Sequence, residues 1–87
     1  ARRLEDTVFN FYDLLIQAVY KKETRIDLLK QADLELEKLR LYMRLAFVRK
    51  LTNQSQYHFA ATAMVELGKL LGGWLKSSQE QEQASSS

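Results

Sequence analysis

Six basic residues in the second half of the chain have the types and spacing to bind phosphate groups. Arg40 and Arg44 lie one helical turn apart, and Arg49 and Lys50 follow in the same segment. A guanidinium group can hold phosphate through two parallel N–H bonds, and a lysine ammonium group acts as a point charge. The candidate residues for nucleic-acid binding are Arg40, Arg44, Arg49, Lys50, Lys69 and Lys76.

The charge of the chain is unevenly divided. Residues 38–76 hold seven basic residues and one acidic residue, whereas residues 1–37 hold six basic and eight acidic residues. The formal net charge of +2 hides this division. Two interpretations stay open: the basic half can bind a polyanion and release its counterions, or its side chains can simply be solvated and balance helix C-termini.

Other chemistries lack the residues that they need. The 87-residue chain has no Cys and a single His, His58, so it has no disulfide, no Cys-ligated metal and no multi-histidine metal site. Asp33, Glu35 and Glu37 alternate, which spreads them around a helix instead of converging them as a catalytic pair. Ser55 lacks the Gly-x-Ser-x-Gly context of a nucleophile. We expect a protein that is not an enzyme and uses no cofactor or metal.

Helices are the elements that must position the basic residues. The chain has no Pro, and its three Gly fall within residues 68–73, so no strong turn signal interrupts the first 67 residues. The first helix is predicted from about Leu4 to Tyr20, followed by a turn near residues 21–24 in which Thr24 caps the second helix. The second helix carries an apolar seam at spacings of three and four residues: Leu29, Ala32, Leu36, Leu39, Met43 and Ala46.

A polar loop precedes the third helix, and a polar tail follows it. Thr52, Asn53 or Ser55 can cap the third helix, which is predicted to end near Lys76 or Ser77. The sequence therefore predicts an all-α fold, an antiparallel helical bundle over residues 1–76, and a disordered polar tail over residues 77–87. No apolar run reaches the roughly 18 residues that span a bilayer, so we expect a soluble, cytoplasmic protein.

The apolar residues cover more helix surface than one small core can bury. They make up 46% of the chain and occupy more than one face of at least two helices, which predicts an oligomer. Glycines inside a helix cost roughly 1 kcal/mol each, so a glycine cluster favours close approach of a neighbouring helix. The residues predicted to pack between helices or subunits are Leu41, Tyr42, Leu45, Gly68, Gly72 and Trp74.

Two strings in the basic half resemble a known family. They are Leu39–Ala46 (LRLYMRLA) and, after the polar loop, Val65–Leu75 (VELGKLLGGWL). The last helix of that family typically reads Glu-x-Gly-Arg/Lys-x-Leu-Gly-x-Trp, which Glu66–Trp74 matches. The chain resembles the Avd proteins, which are accessory variability determinants of diversity-generating retroelements. It also resembles the related four-helix-bundle proteins encoded in intervening sequences of bacterial large-subunit ribosomal RNA genes.

The resemblance implies a four-helix bundle that assembles as a ring-like homopentamer with a basic surface for nucleic acid. The implied partners are other copies of the chain, a reverse transcriptase and its template RNA or an RNA/DNA hybrid, without a membrane or a small-molecule substrate. Arg40, Arg44 and Lys69 match basic positions of the family. The family pattern has a further helix before the segment that begins at Leu4. Two interpretations stay open: that helix is missing from this chain, or the chain is a three-helix variant of the family.

A second interpretation belongs to another functional class. In it, the chain is an intervening-sequence-type or other protein-interaction bundle, without direct nucleic-acid contact. Its basic residues would then meet acidic protein surfaces. An enzyme is the weakest interpretation, because no acid–base pair, nucleophile or metal set converges in the sequence.

Overall fold

The computed structural model describes the backbone of residues 2–86 and the side chains of residues 3–84, and this part of the chain forms three long helices without a strand. α1 spans Arg2–Tyr20, α2 spans Arg25–Val48 and α3 spans Gln54–Ser86. A short 3-10 turn, Lys22–Thr24, joins α1 to α2. The predicted all-α fold class is confirmed, and so is the turn near residues 21–24.

α2 is the central helix and packs against both of the others. Within the described residues, no Cα atom of α1 lies within 8 Å of a Cα atom of α3. Arg25 at the start of α2 lies over the ring of Trp74 in α3, whereas Phe47 near the end of α2 stacks on Tyr57 near the start of α3. α2 and α3 are therefore antiparallel. The Cα extents are 52 × 21 × 14 Å, and the long dimension matches the roughly 50 Å length of the 33-residue α3.

The core is one cluster to which all three helices contribute. On α2 the buried side chains Leu29, Ala32, Leu36 and Leu39 recur at spacings of three, four and three residues. The first four positions of the predicted seam are therefore confirmed as core, and the last two are half-buried. The other buried members of the cluster are Phe11 and Ala18 from α1, Leu28 from α2, and Met64 and Leu71 from α3.

Arg25 closes the turn between α1 and α2. Its Nε donates to the carbonyl oxygen of Ala18 at 2.7 Å, and its Nη2 donates to that of Val19 at 3.1 Å. These bonds satisfy carbonyls that the end of a helix leaves free. The predicted side-chain cap at Thr24 is wrong: Thr24 occupies the N-cap position, but its φ and ψ of −107° and 12° close the 3-10 turn and its side chain makes no capping bond.

The end of α2 is closed by backbone bonds. The N–H of Leu51 donates to the carbonyl oxygen of Ala46 at 2.8 Å, and the N–H of Lys50 donates to that of Phe47 at 3.0 Å. This bond pair is the Schellman motif, which requires a left-handed residue at the position of Lys50. Lys50 has a φ of 60°, in a conformation that usually belongs to Gly.

The start of α3 is closed by side chains. Asn53 Oδ1 accepts from the N–H of Gln56 at 2.8 Å, and Gln56 Oε1 accepts from the N–H of Asn53 at 3.0 Å. This reciprocal pair is a capping box, which satisfies two backbone donors at once. Of the three residues predicted as possible caps, Asn53 is the one that caps the helix.

α3 continues well past the predicted end at Lys76 or Ser77. The structure carries it through Ser86, so the disordered tail predicted for residues 77–87 is corrected to helix over 77–86, and Ser87 lies outside the described residues. A segment with few apolar residues gains little stability from burial in a core, but its polar residues can still extend a helix that has already formed. The segment contains no Gly or Pro and is rich in Gln and Glu, which extend an existing helix readily. Ser78, one turn past Trp74, is buried.

Candidate nucleic-acid interface

The interface is built from a stretch of chain without acidic residues. No Asp or Glu occurs between Lys38 and Val65, which covers the second half of α2, the turn and the first part of α3. Since α2 and α3 are antiparallel, this stretch folds back on itself and lies at one end of the elongated molecule. We call it the basic end. The start of α1, which carries Arg3 as well as Glu5 and Asp6, lies at the same end, because Arg3 and Leu4 line a groove together with Arg49.

Three of the cations near this end are paired within their own helices. Arg40 Nη1 donates to Glu37 Oε1, three residues earlier. Lys38 is paired with Glu35 at 3.0 Å, and Lys69 Nζ lies 3.9 Å from a carboxylate oxygen of Glu66. Exposed pairs of this type contribute little to stability and are screened by salt. They reduce the charge that Arg40 and Lys69 offer to an incoming anion.

Three cations of the basic end lie outside these ion pairs: Arg44, Arg49 and Lys50. All three are exposed, and none forms an ion pair with another residue of the described structure. Arg44 follows Arg40 by one turn, and Arg49 and Lys50 terminate the helix. Four of the six predicted phosphate-binding residues thus lie in the last turns and at the end of α2, where Arg40 faces α3 and Arg49 lines the groove between α1 and α2.

The other two predicted residues lie on α3. Lys69 follows Gly68, and Gly68 lies opposite Arg40 of α2, so Lys69 extends the basic end along the molecule. Lys76 is exposed but follows Trp74, which lies beneath Arg25 at the start of α2. Nineteen residues of α2 separate Arg25 from Arg44, which corresponds to roughly 28 Å along the helix. Lys76 therefore belongs to the opposite end of the molecule.

Lys50 adopts a left-handed backbone conformation that is unfavourable for a lysine. A left-handed backbone costs an L-residue roughly 1–2 kcal/mol, and Gly would meet the same geometry without that cost. The side chain is exposed, so packing does not require a lysine there. Strained residues concentrate at functional sites, where the side chain has a use that offsets the strain.

Aromatic side chains surround the same end, and sequence reasoning missed them. Phe47 and Tyr57 stack with ring centroids 4.5 Å apart and planes inclined by 25°. Phe59 is 78% exposed, and the neighbouring His58 is exposed as well. The sequence does contain a pattern that indicates this aromatic group. The run Tyr57-His58-Phe59 follows the loop, and Phe47 precedes the loop next to the basic residues.

Gly68 makes room for a side chain of the same protein. A Cβ atom at Gly68 would lie 2.8 Å from Nη2 of Arg40 and 3.6 Å from Cδ2 of Leu36. The sequence predicted close approach by the backbone of a neighbouring helix, whereas the group that lies against Gly68 is the flexible end of the Arg40 side chain. Cβ atoms at Gly72 and Gly73 would have no described atom within 4 Å, so α3 presents open backbone there.

The remaining predicted packing residues divide between the core and the surface. Trp74 packs against the core cluster, and Tyr42 is half-buried beside Leu4 and Arg3 in a groove between α1 and α2. Leu41 and Leu45 are 54% and 47% exposed on α2. α1 adds a further exposed apolar stripe at helical spacing, which consists of Phe9, Tyr12, Ile16 and Val19.

Within residues 2–86 the structure shows neither a membrane-spanning helix nor a cluster of metal ligands. None of the helices there combines the length and the apolar character needed to cross a bilayer. No three His, Asp or Glu side chains of the described structure come together as a metal site.

Comparison with protein-family models, with curated proteins and with solved structures gave no match to this chain.

Proposed function

We propose that this protein is a non-catalytic accessory protein that binds nucleic acid through its basic end. The observation that carries the proposal is the group of three exposed cations, Arg44, Arg49 and Lys50, in a stretch of chain without carboxylates. Phosphate groups neutralise such a group and release counterions into solution. Lys50 supports the assignment because it holds its charge at a backbone position that favours Gly.

The resemblance to Avd proteins makes the proposal more specific. The accessory protein would act with a retroelement reverse transcriptase and its template RNA or RNA/DNA hybrid during mutagenic cDNA synthesis. The strings Leu39–Ala46 and Val65–Leu75, which carry the resemblance, lie in α2 and α3 and supply Arg40, Arg44 and Lys69. Assembly as a homopentamer belongs to the same proposal.

Exposed apolar surface supports the proposed assembly. The stripe of Phe9, Tyr12, Ile16 and Val19 on α1 leaves each side chain more than half exposed. Monomeric soluble proteins rarely leave contiguous apolar patches of this kind in water. The same stripe also favours the second candidate function, a protein-interaction bundle that makes no direct contact with nucleic acid.

A filter-binding assay with structured RNA across a salt series tests the proposal. The variant Arg44→Glu/Arg49→Glu/Lys50→Glu is compared with Lys21→Glu/Lys22→Glu/Lys30→Glu, which makes the same charge change at exposed lysines outside the basic end. Loss of three phosphate contacts should reduce the slope of log K against log salt concentration by about 2 to 3. The lysine variant should keep most of the original slope.

The results separate the two candidate functions. Equal losses in both triple variants would show that only net charge matters and would count against the basic end. Absent or salt-insensitive binding by the unmodified protein would refute the nucleic-acid function. A specific protein complex that survives nuclease treatment would then favour the interaction bundle. Circular dichroism of both variants verifies that their helices are intact.

A further inference from the structure

The aromatic residues at the basic end add a second kind of recognition to the phosphate contacts. Phe47, Tyr57 and His58 line one shallow depression together with Ala61. A second depression next to it is lined by His58, Phe59, Thr62 and Ala63. Both depressions include Ser55 and His58, so they adjoin along the first turns of α3.

From this arrangement we infer that the basic end is a stacking surface for unpaired bases, so that its ligand is single-stranded nucleic acid. The inference rests on the proposed function and specifies the class of ligand. Proteins that bind single strands combine a positively charged groove with aromatic rings on which bases stack. Bases in a duplex are stacked on one another and offer no free face to such rings.

The spacing of residues on α2 places the charges beside the rings. Arg40, Arg44 and Phe47 are separated by four and three residues and so follow one face of α2. That face meets α3, because Phe47 stacks on Tyr57 and the guanidinium group of Arg40 lies beside Gly68. Phosphates bound by the arginines would thus leave their bases next to the aromatic pair.

Residues of α3 keep this surface accessible. Ala61 and Gly68 face α2 with little or no side chain, and the aromatic ring of Phe59 is 78% exposed. An exposed phenylalanine gains nothing from the core, whereas a stacked base would cover it. The polar side chains of Ser55 and Thr62, beside Phe59, can donate hydrogen bonds to base edges.

The inference is tested by fluorescence anisotropy with three labelled RNA probes of roughly 12 nucleotides, within the usual site sizes of single-strand binders. They are a single strand, a fully paired duplex and a single strand in which the bases are replaced by abasic sites. Phe59→Ala should weaken binding of the single strand between about fivefold and 150-fold, the effect of losing one stacked base. It should leave the affinity for the abasic strand unchanged.

Two further variants control for structure. Tyr20→Ala removes an aromatic ring that is 82% exposed. Tyr20 is the last residue of α1, at the end of the molecule away from the basic end, so this substitution should leave all three affinities unchanged. Tyr57→Leu keeps apolar contact with Phe47 while removing the stacking partner, and it should also weaken single-strand binding selectively. Circular dichroism and the fluorescence of Trp74 verify that each variant is folded.

The outcomes distinguish this inference from the function on which it rests. Duplex binding as tight as single-strand binding, or equal losses for the single strand and the abasic strand in Phe59→Ala, would overturn the stacking surface and leave nucleic-acid binding intact. Absence of binding to all three probes would overturn both. Selective loss of single-strand affinity in Phe59→Ala and Tyr57→Leu, but not in Tyr20→Ala, supports the inference.

Discussion

Arg25 is the side chain whose removal should reveal most about how the three helices are held together. Its guanidinium group bonds to the carbonyls of Ala18 and Val19 at the end of α1, and it lies 5.9 Å from the ring centroid of Trp74 in α3. One residue at the start of α2 thus contacts both neighbouring helices. The substitution Arg25→Met retains the aliphatic stem and removes only the charged group.

The expected loss follows from these contacts. The bond to Ala18, a residue with 0% exposure, is worth about 2 kcal/mol as a hydrogen bond from a charged donor. The exposed bond to Val19 and the cation–π contact with Trp74 add about 0.5 kcal/mol each. The total of about 3 kcal/mol approaches the whole stability of a domain of this size, about 3 to 5 kcal/mol. Arg25→Met should therefore keep only about 0 to 2 kcal/mol of stability, so that a measurable fraction is unfolded without denaturant.

Urea unfolding measures this effect with two probes. Circular dichroism at 222 nm follows all three helices, and fluorescence follows Trp74, the single tryptophan of the chain, which lies at the site. Protein concentration is held constant, because assembly would make apparent stability concentration-dependent. The matched control is Lys22→Met, which removes an exposed charge from the same turn and should change the free energy of unfolding by less than about 0.5 kcal/mol.

One result would refute the reasoning. If Arg25→Met and Lys22→Met lose equally little stability, water replaces the guanidinium group at the α1 carbonyls without penalty. The turn is then held by backbone geometry and core packing. The variant Trp74→Leu isolates the cation–π contact, and a double-mutant cycle with Arg25→Met should show a coupling of about 0.5 kcal/mol.

Two backbone predictions follow from the same structure. Lys50→Gly should raise the free energy of unfolding by about 1 kcal/mol, because Gly adopts the left-handed conformation without strain. The same substitution should weaken RNA binding, because it removes a positive charge. A lower urea midpoint would contradict the assignment of the Schellman motif. Gly72→Ala should also stabilise the protein by about 1 kcal/mol, since no described atom lies within 4 Å of the added methyl group. A decrease in its thermal midpoint would show that another chain packs against Gly72.

Local patterns made the helices and the core of α2 predictable. The spacing of Leu29, Ala32, Leu36 and Leu39 identifies the buried face because helical geometry depends only on the backbone. The sequence limited the cap of α3 to Thr52, Asn53 or Ser55, because capping depends on the residue type next to the helix start. The predicted end of α3 is too early, because a helix that has already formed continues through residues such as Gln and Glu even where no side chain is buried.

The candidate interface was only half predictable. Arg40, Arg44, Arg49 and Lys50 stand out as charges in the sequence, and the pairing of Arg40 with Glu37 needs only one helix to form. The aromatic surface could not be found in this way. Phe47 and Tyr57 are far enough apart in sequence that their stacking depends on the rotation of α2 against α3, which packing alone determines.

The sequence by itself determined the all-helical class, the apolar seam of α2 and the concentration of positive charge between residues 38 and 76, because each is a property of composition or of local spacing. Only the tertiary structure decided that Phe47 stacks on Tyr57, that Lys76 lies away from Arg44, and that Arg25 joins α1 to Trp74. These features depend on how helices pair and rotate, and that is fixed by contacts between residues distant along the chain.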